Sequence, residues 1–300
     1  MAVVASFMAH TVIAVSKIPT DNKANSHMWM PYMSRQIFFA HANGFPSGTY
    51  AKLFAALAPD HHVAHLPQHG HDPRFPVDNN WRNLVDELIY HLQQQDGPVL
   101  GVGHSLGGML HLHAAIRCPQ LYKGVVMLDS PVLTRTDQWV IRAAKRLGLI
   151  DRLTPAGRTL GRREEFADRE AAREYFAGKS LFRSFDPDCF DAYLEHGLRA
   201  MDDRLRLSFD PATEINIYRS VPHTSPGLVK QLQVPLTVVR GRDSRVVMRH
   251  HANAVARLPF GEALSVPGGH MFPLEQPDDT ARLLRAIFTR WESRDSGVEE

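Results

Sequence analysis

An α/β fold, with a doubly wound, mostly parallel sheet and a helical cap inserted into it, follows from three features of this 300-residue sequence. From Arg35 onward, short β-branched runs alternate with amphipathic stretches, as in successive βα units. The runs are short and apolar or β-branched and end in turn residues, as suits strands covered on both faces. The stretch from Val132 to Gln233 then breaks the alternation with helical patterns and no evident strand.

The strands read in order as "QIFFA", "HVAHL", "PVLGVG", "GVVMLD", "LTVVRG" and "ALSV", each ending in turn residues. Between them, "NNWRNLVDELIYHLQQQ" places Trp81, Leu84, Val85, Leu88, Ile89 and Leu92 at spacings of three and four, a helix signature. "GGMLHLHAAIR" and the closing "TARLLRAIFTRWES" are helical in the same way. Within the interruption, "TDQWVIRAAKRLGLI", "EEFADREAAREYFAG" and "PDCFDAYLEHGL" read as helices of the cap. The core therefore spans 35–131 and 234–300, and the cap 132–233.

Residues 1–34 are expected to lie outside the fold as an extension. "AVVASFMAHTVIAVS" has no preceding Lys or Arg, and His10 and Thr11 interrupt it, so it is too short to span a bilayer. A cytoplasmic protein without stable membrane insertion is expected, with an export signal as the alternative. An apolar content of 44% and a charged content of 22% suit a globular domain. With 34 basic and 32 acidic residues the formal charge is +2, which calls for no nucleic-acid partner. A chain of this length buries about 75% of its unfolded surface and needs no metal or disulfide staple. Cys118 and Cys189 are accordingly read as buried thiols.

The chemistry concentrates in "VLGVGHSLGGML", Val99 to Leu110. Gly101 and Gly103 could open a dinucleotide fingerprint, with Asp129 cast as the ribose-binding acid. Leu106 stands where the third glycine belongs, and that reading leaves His104 and Ser105 without a task. Gly103-His104-Ser105-Leu106-Gly107 fits a nucleophile at a strained strand-to-helix turn, where flanking glycines relieve clashes around the serine. The N–H of Leu106, at the helix N-terminus, would face a developing oxyanion. A base and an orienting acid should follow later strands, in the order Ser, acid, His. "LTVVRGRDSRVV" offers Asp243 and "ALSVPGGHMFPLEQP" offers His270. Asp129 also ends a strand and is the competing position for the acid. A second oxyanion donor is expected in "FFAHANGFPSGTY": Gly44 allows the turn, and the N–H of Phe45 would face that of Leu106.

These segments together resemble the α/β-hydrolase fold superfamily over about residues 35–292. "HANGFP" is similar to its HGxP oxyanion loop, and "HLPQHGHDP" to its D-x-P-G-H-G-x-S segment. "GHSLGG" resembles its nucleophile elbow, "GRDS" its acid turn, and "GGHMFPLEQP" its base loop. Asn43 stands where His is usual, and His65 and Gln68 replace Asp and Gly. The resemblance implies catalysis by Ser105, Asp243 and His270, an oxyanion hole from Phe45 and Leu106, and a substrate pocket near His41, Asn43, His104, Asp129 and Met271. It implies no cofactor. A serine nucleophile implies acyl transfer, with a carboxylic ester of a small or medium-sized molecule as substrate. A thioester or C–C bond, and a non-catalytic ligand-binding role, remain the alternatives.

The histidines at 61, 62, 65, 69 and 71 invite a metal reading, but His69 and His71 could only begin a ligand set, and no metal is expected. His111 and His113 point to different faces of one helix and cannot chelate together. Arg142, Lys145, Arg146, Arg162 and Arg163 are taken as a solvated helical face; an anionic leaving group such as coenzyme A is the lesser reading. The oligomeric state is not legible.

Overall fold

In the computed structural model, which describes residues 35–224 and 229–295, the chain opens with β1 (Arg35–Ala40), α1 (Ala51–Leu57) and β2 (His61–His65). It continues through α2 (Arg82–Leu92), β3 (Val99–His104), α3 (Leu106–Arg117) and β4 (Tyr122–Leu128). The insertion holds α4 (Arg135–Arg146), α5 (Ile150–Leu153), α6 (Ala156–Thr159), β5 (Glu165–Phe166), α7 (Arg169–Ala177), α8 (Pro187–His196), β6 (Leu198–Met201), β7 (Arg204–Leu207) and α9 (Pro211–Arg219). The chain returns through β8 (Leu236–Gly241), α10 (Arg249–Val255), β9 (Gly261–Val266), α11 (Phe272–Glu275) and α12 (Pro277–Asp295). The extension expected over residues 1–34 lies outside the described residues.

Six strands form one sheet in the order β2-β1-β3-β4-β8-β9, and every pairing is parallel. The apolar runs of the central strands explain this. Ile37, Phe39, Val102, Leu128 and Val239 enter the core on one face, with Leu53 and Leu57 of α1 and Leu284, Ile287 and Phe288 of α12. Phe38, Val125, Met127 and Val238 enter the other, with Leu84 and Leu88 of α2 and Met109 and Leu110 of α3. Alternate residues point to opposite faces, so only strands apolar at every position fill both cores. Each fully buried side chain of this size contributes about 1.5–3 kcal/mol. The strand order reverses between β1 and β3. In open α/β sheets, ligands bind beside the strand ends at such a reversal.

The insertion is mainly helical, but it is not free of strands. β5, β7 and β6 form a small antiparallel sheet, in which Leu198 pairs with Leu207 and Met201 with Arg204. The hairpin turns at Asp202, whose φ is 52°, a conformation that Asp tolerates. Strands of two to four residues are too short to show an apolar run, and in β7 Arg204 and Arg206 alternate with Leu205 and Leu207, so spacing along the sequence does not reveal them. α8 is tied to the core by Lys52 of α1, whose Nζ donates to Asp186 and Asp188, both at 2.8 Å.

Candidate active site

Ser105 sits between β3 and α3 with φ 52° and ψ −112°, a strained backbone for a non-glycine residue. The flanking glycines make it possible. A Cβ on Gly103 would lie 2.2 Å from the Gly107 carbonyl carbon, and one on Gly107 would lie 2.0 Å from the Ala40 oxygen. The turn is fixed from three sides. Ser105 N donates to Leu128 O at 3.0 Å, Gly107 N to His41 O at 3.2 Å, and Ser130 Oγ to Ser105 O at 2.6 Å. Leu106 opens α3, where the first N–H groups of a helix lack intrahelical acceptors.

The base loop places His270, with its side chain 28% exposed, against a fully buried carboxylate. His270 Nδ1 lies 2.7 Å from Asp129 Oδ2. This corrects the assignment of the acid to Asp243, whose side chain is exposed. Asp243 contributes its backbone instead, donating N–H to Gly268 O at 3.0 Å. The reason is packing at the end of β8. A Cβ on Gly241 would lie 2.2 Å from Gly269 O, so the bare glycine lets the base loop cross β8 and reach β4. The Asp129 carboxylate also accepts from Gly241 N at 2.9 Å and from Ser244 Oγ. Asp129 has φ 41°, so the nucleophile candidate and this acid share the left-handed backbone.

His104 is fully buried and spans two loops. Its Nε2 lies 2.9 Å from the main-chain oxygen of His270, which can only accept, so Nε2 carries the proton. Nδ1 then accepts from Tyr50 Oη at 2.7 Å, and Tyr50 Oη accepts from Ala42 N at 3.3 Å. Burial first, and then the neighbouring His270, hold His104 well below the usual imidazole range, so it stays neutral.

The loop after β1 departs from expectation. Phe45 N donates to Ala42 O at 3.0 Å, closing a turn rather than facing the elbow. The Phe45 ring packs beneath the insertion, 5.4 Å from Tyr193 and about 6 Å from Phe182 and Phe185. Asn43 Nδ2 donates to Glu214 O at 3.0 Å. Glu214, nearly buried, is paired with Arg162 at 2.6 Å. Burial raises the Glu214 carboxyl above its usual range, and Arg162 opposes the rise. Sequence reasoning missed this pair, because helical spacing does not reveal that α9 packs on the loop after β1.

The pocket candidates His41, Asn43, His104, Asp129 and Met271 are all buried. His41 is not a pocket residue: Nδ1 donates to Ala42 O at 2.8 Å and Nε2 accepts from His69 N at 2.8 Å. Met271 packs in the core with Phe272 and Leu274. His71 Nδ1 donates to His69 O at 3.0 Å and its Nε2 accepts from Asp210 N at 3.1 Å, so neither nitrogen is open to a metal. Elsewhere, Asp137, His250 and His251 bring three ligating atoms within 4.8 Å of one another. There His251 Nδ1 accepts from Met248 N at 3.1 Å, which leaves the proton on Nε2, donated to Asp137. A metal-bound histidine needs an acceptor at its second nitrogen, not a backbone donor. The Cys189 thiol is buried and its pKa is pushed up to about 12, while Cys118 is partly buried; both are free.

Comparison with known proteins agrees with this arrangement. The profile of the alpha/beta hydrolase family matches residues 37–283. A pimeloyl-[acyl-carrier protein] methyl ester esterase of Xanthomonas oryzae pv. oryzae (strain MAFF 311018) is 24% identical over 247 residues, covering 78% of this chain and 86% of the relative. Its counterpart in Xanthomonas axonopodis pv. citri (strain 306) is 25% identical over 249 residues, with the same coverage. Among solved structures, an E-2-(acetamidomethylene)succinate hydrolase superposes with a TM-score of 0.67 at 22% identity, over 85% of this chain and 91% of that one. An M. tuberculosis esterase superposes with a TM-score of 0.65 at 22% identity, over 85% and 86%. The parallel sheet, the strained serine at its reversal point and the family match over most of the chain lead to one conclusion: the chain belongs to the alpha/beta hydrolase family.

Proposed function

We propose that the protein is a serine ester hydrolase that cleaves a carboxylic ester of a small or medium-sized substrate through an acyl-enzyme. The contact that carries this reading is His270 Nδ1 to Asp129 Oδ2 at 2.7 Å, beside the strained Ser105. The carboxylate accepts the Nδ1 proton, which leaves the Nε2 lone pair of His270 for the serine proton. Ser105 Oγ then attacks the ester carbonyl. The oxyanion is met by the N–H of Leu106 and the N-terminus of α3. His270 returns its proton to the leaving alcohol, and an activated water releases the acid. The relatives named as methyl ester esterases support an ester as the bond cleaved. Residues 132–233 act as a cap over the site, and Phe182, Phe185 and Tyr193 anchor it by packing on the Phe45 ring.

A fluorophosphonate probe tests the proposal together with hydrolysis of p-nitrophenyl esters. Wild type should be labelled on Ser105 and turn over the ester, and Ser105→Ala should do neither while remaining folded. Labelling elsewhere, or activity retained in Ser105→Ala, overturns the assignment.

A further inference from the structure

Apart from Ile141, which is buried in the core, α4 carries its large apolar residues outward. Trp139, Val140 and Leu147 are 68%, 48% and 70% exposed, whereas Asp137 and Lys145 turn toward the protein. Lys145 Nζ donates to Asn79 Oδ1 at 2.6 Å and to Val221 O at 2.7 Å, and burial lowers its pKa to about 8. The expected solvated basic face is thus only partly real. Lys145 and Arg162 are engaged by the protein, and Arg142, Arg146 and Arg163 face solvent.

Trp139, Ala143 and Leu147 recur every four residues along α4, which places them on one face. Arg135, Arg142 and Arg146 share that exposed face. Leu149, Leu153 and Leu160 extend the exposed apolar set along the following short helices. Between Arg135 and Arg163 the sequence has eight basic and two acidic residues, which leaves the rest of the chain net acidic. Among the described residues, no ion pair engages Arg135, Arg142, Arg146, Arg152 or Arg158. Water is a poor environment for such a set. Contiguous exposed apolar surface marks an interaction site, and unpaired arginines around it select a negative partner.

We propose that this face of α4 docks the protein on an anionic lipid bilayer. An acidic protein would satisfy the arginines but would need cavities matched to Trp139 and Leu147. A bilayer supplies anionic headgroups above acyl chains in one layer, which suits arginines and apolar side chains interleaved on a single convex helix face. The contact is peripheral, because no helix among the described residues is long and apolar enough to cross a membrane. The remainder of the chain is net acidic, which favours presentation of this face to an anionic surface.

The test mixes the full-length protein with phosphatidylcholine vesicles, with and without phosphatidylglycerol, at low and physiological salt. The protein should sediment with the phosphatidylglycerol vesicles alone, and less at the higher salt. In a Trp29→Phe background its tryptophan emission should shift to the blue, because among the described residues Trp81 and Trp291 are already buried while Trp139 is exposed. Arg135→Glu/Arg142→Glu/Arg146→Glu and, separately, Trp139→Ser/Leu147→Ser should each weaken sedimentation about tenfold or more. Trp139→Phe should abolish the blue shift. Hydrolysis of a water-soluble ester by all variants checks folding, and vesicle binding is read independently of that activity. Four results overturn the proposal: no sedimentation with phosphatidylglycerol at low salt, sedimentation unchanged in the charge-reversed variant, retention on an acidic protein without vesicle binding, or self-association that buries Trp139 instead.

Discussion

The imidazole of His104 donates from Nε2 to the main-chain oxygen of His270 at 2.9 Å, so the residue before the candidate nucleophile holds the loop that carries the candidate base. Through Tyr50 the same ring reaches Ala42 N in the loop after β1. The strand ends that assemble the site are thus coupled by one buried, neutral histidine.

Replacing that ring tests the coupling. His104→Phe keeps most of the volume and removes both hydrogen bonds. Losing one buried bond costs about 1 kcal/mol or somewhat more, so kcat should fall about tenfold with KM little changed. His104→Gln, which keeps a donor for His270 O, should recover part of the loss, and the pH profile of kcat should return toward wild type with it. Equal kcat in His104→Phe and wild type would reduce the residue to packing.

The carboxylate facing His270 belongs to Asp129, and its removal should be severe. Asp129→Asn keeps the shape but neither fixes the imidazole tautomer nor stabilises the imidazolium, a loss of about 10⁴ in a serine-protease triad. Asp243→Asn alters an exposed side chain and should stay within about twofold of wild type. Steady-state kinetics near neutral pH separates the two. If Asp243→Asn proves the more damaging variant, the geometry at the end of β4 is not the working one.

Gly241 offers a test that touches no reacting group. Gly241→Val forces side-chain atoms onto the main chain of Gly268 and Gly269. Overpacking of this kind costs about 1–3 kcal/mol and should displace the base loop. The expected outcome is a lower Tm together with a kcat loss, whereas Gly97→Ala, where a Cβ meets nothing within 4 Å, should change neither.

The Arg162–Glu214 pair braces the loop after β1, and its halves should not be separable. Arg162→Met leaves a buried carboxylate without its cation, at a cost of about 3 kcal/mol or less, discounted because Arg162 is 22% exposed. Arg162→Met/Glu214→Met should regain much of that stability in denaturant titrations. The pH dependence has a definite sign. Burial raises the folded carboxyl above its unfolded value, so the stability linked to Glu214 is present at low pH and is lost as pH rises through the folded value. The double variant should lack this decline. If Arg162→Met is as stable as the double variant at neutral pH, the pair does not brace the loop.

Periodicity and glycine placement in the sequence determined the alternating architecture, the six strands of the parallel sheet and the elbow at Ser105. These are local properties: apolar runs make strands buried on both faces, and a serine between Gly103 and Gly107 can take a backbone that other neighbours would forbid. His270 was legible for the same reason, as the histidine in a Gly-Gly turn after the last strand. The choice between Asp129 and Asp243 was not local. Both follow strands, and their chain order with Ser105 and His270 is the same. Only the tertiary structure decided it, because the outcome depends on how far the base loop travels across β8, and that depends on the contact between Gly241 and Gly269. The turn that consumes the Phe45 N–H, the partnering of His41 and the Arg162–Glu214 pair were decided in the same way. Each depends on the satisfaction of buried polar groups by residues far away in the chain, which spacing along a sequence does not encode.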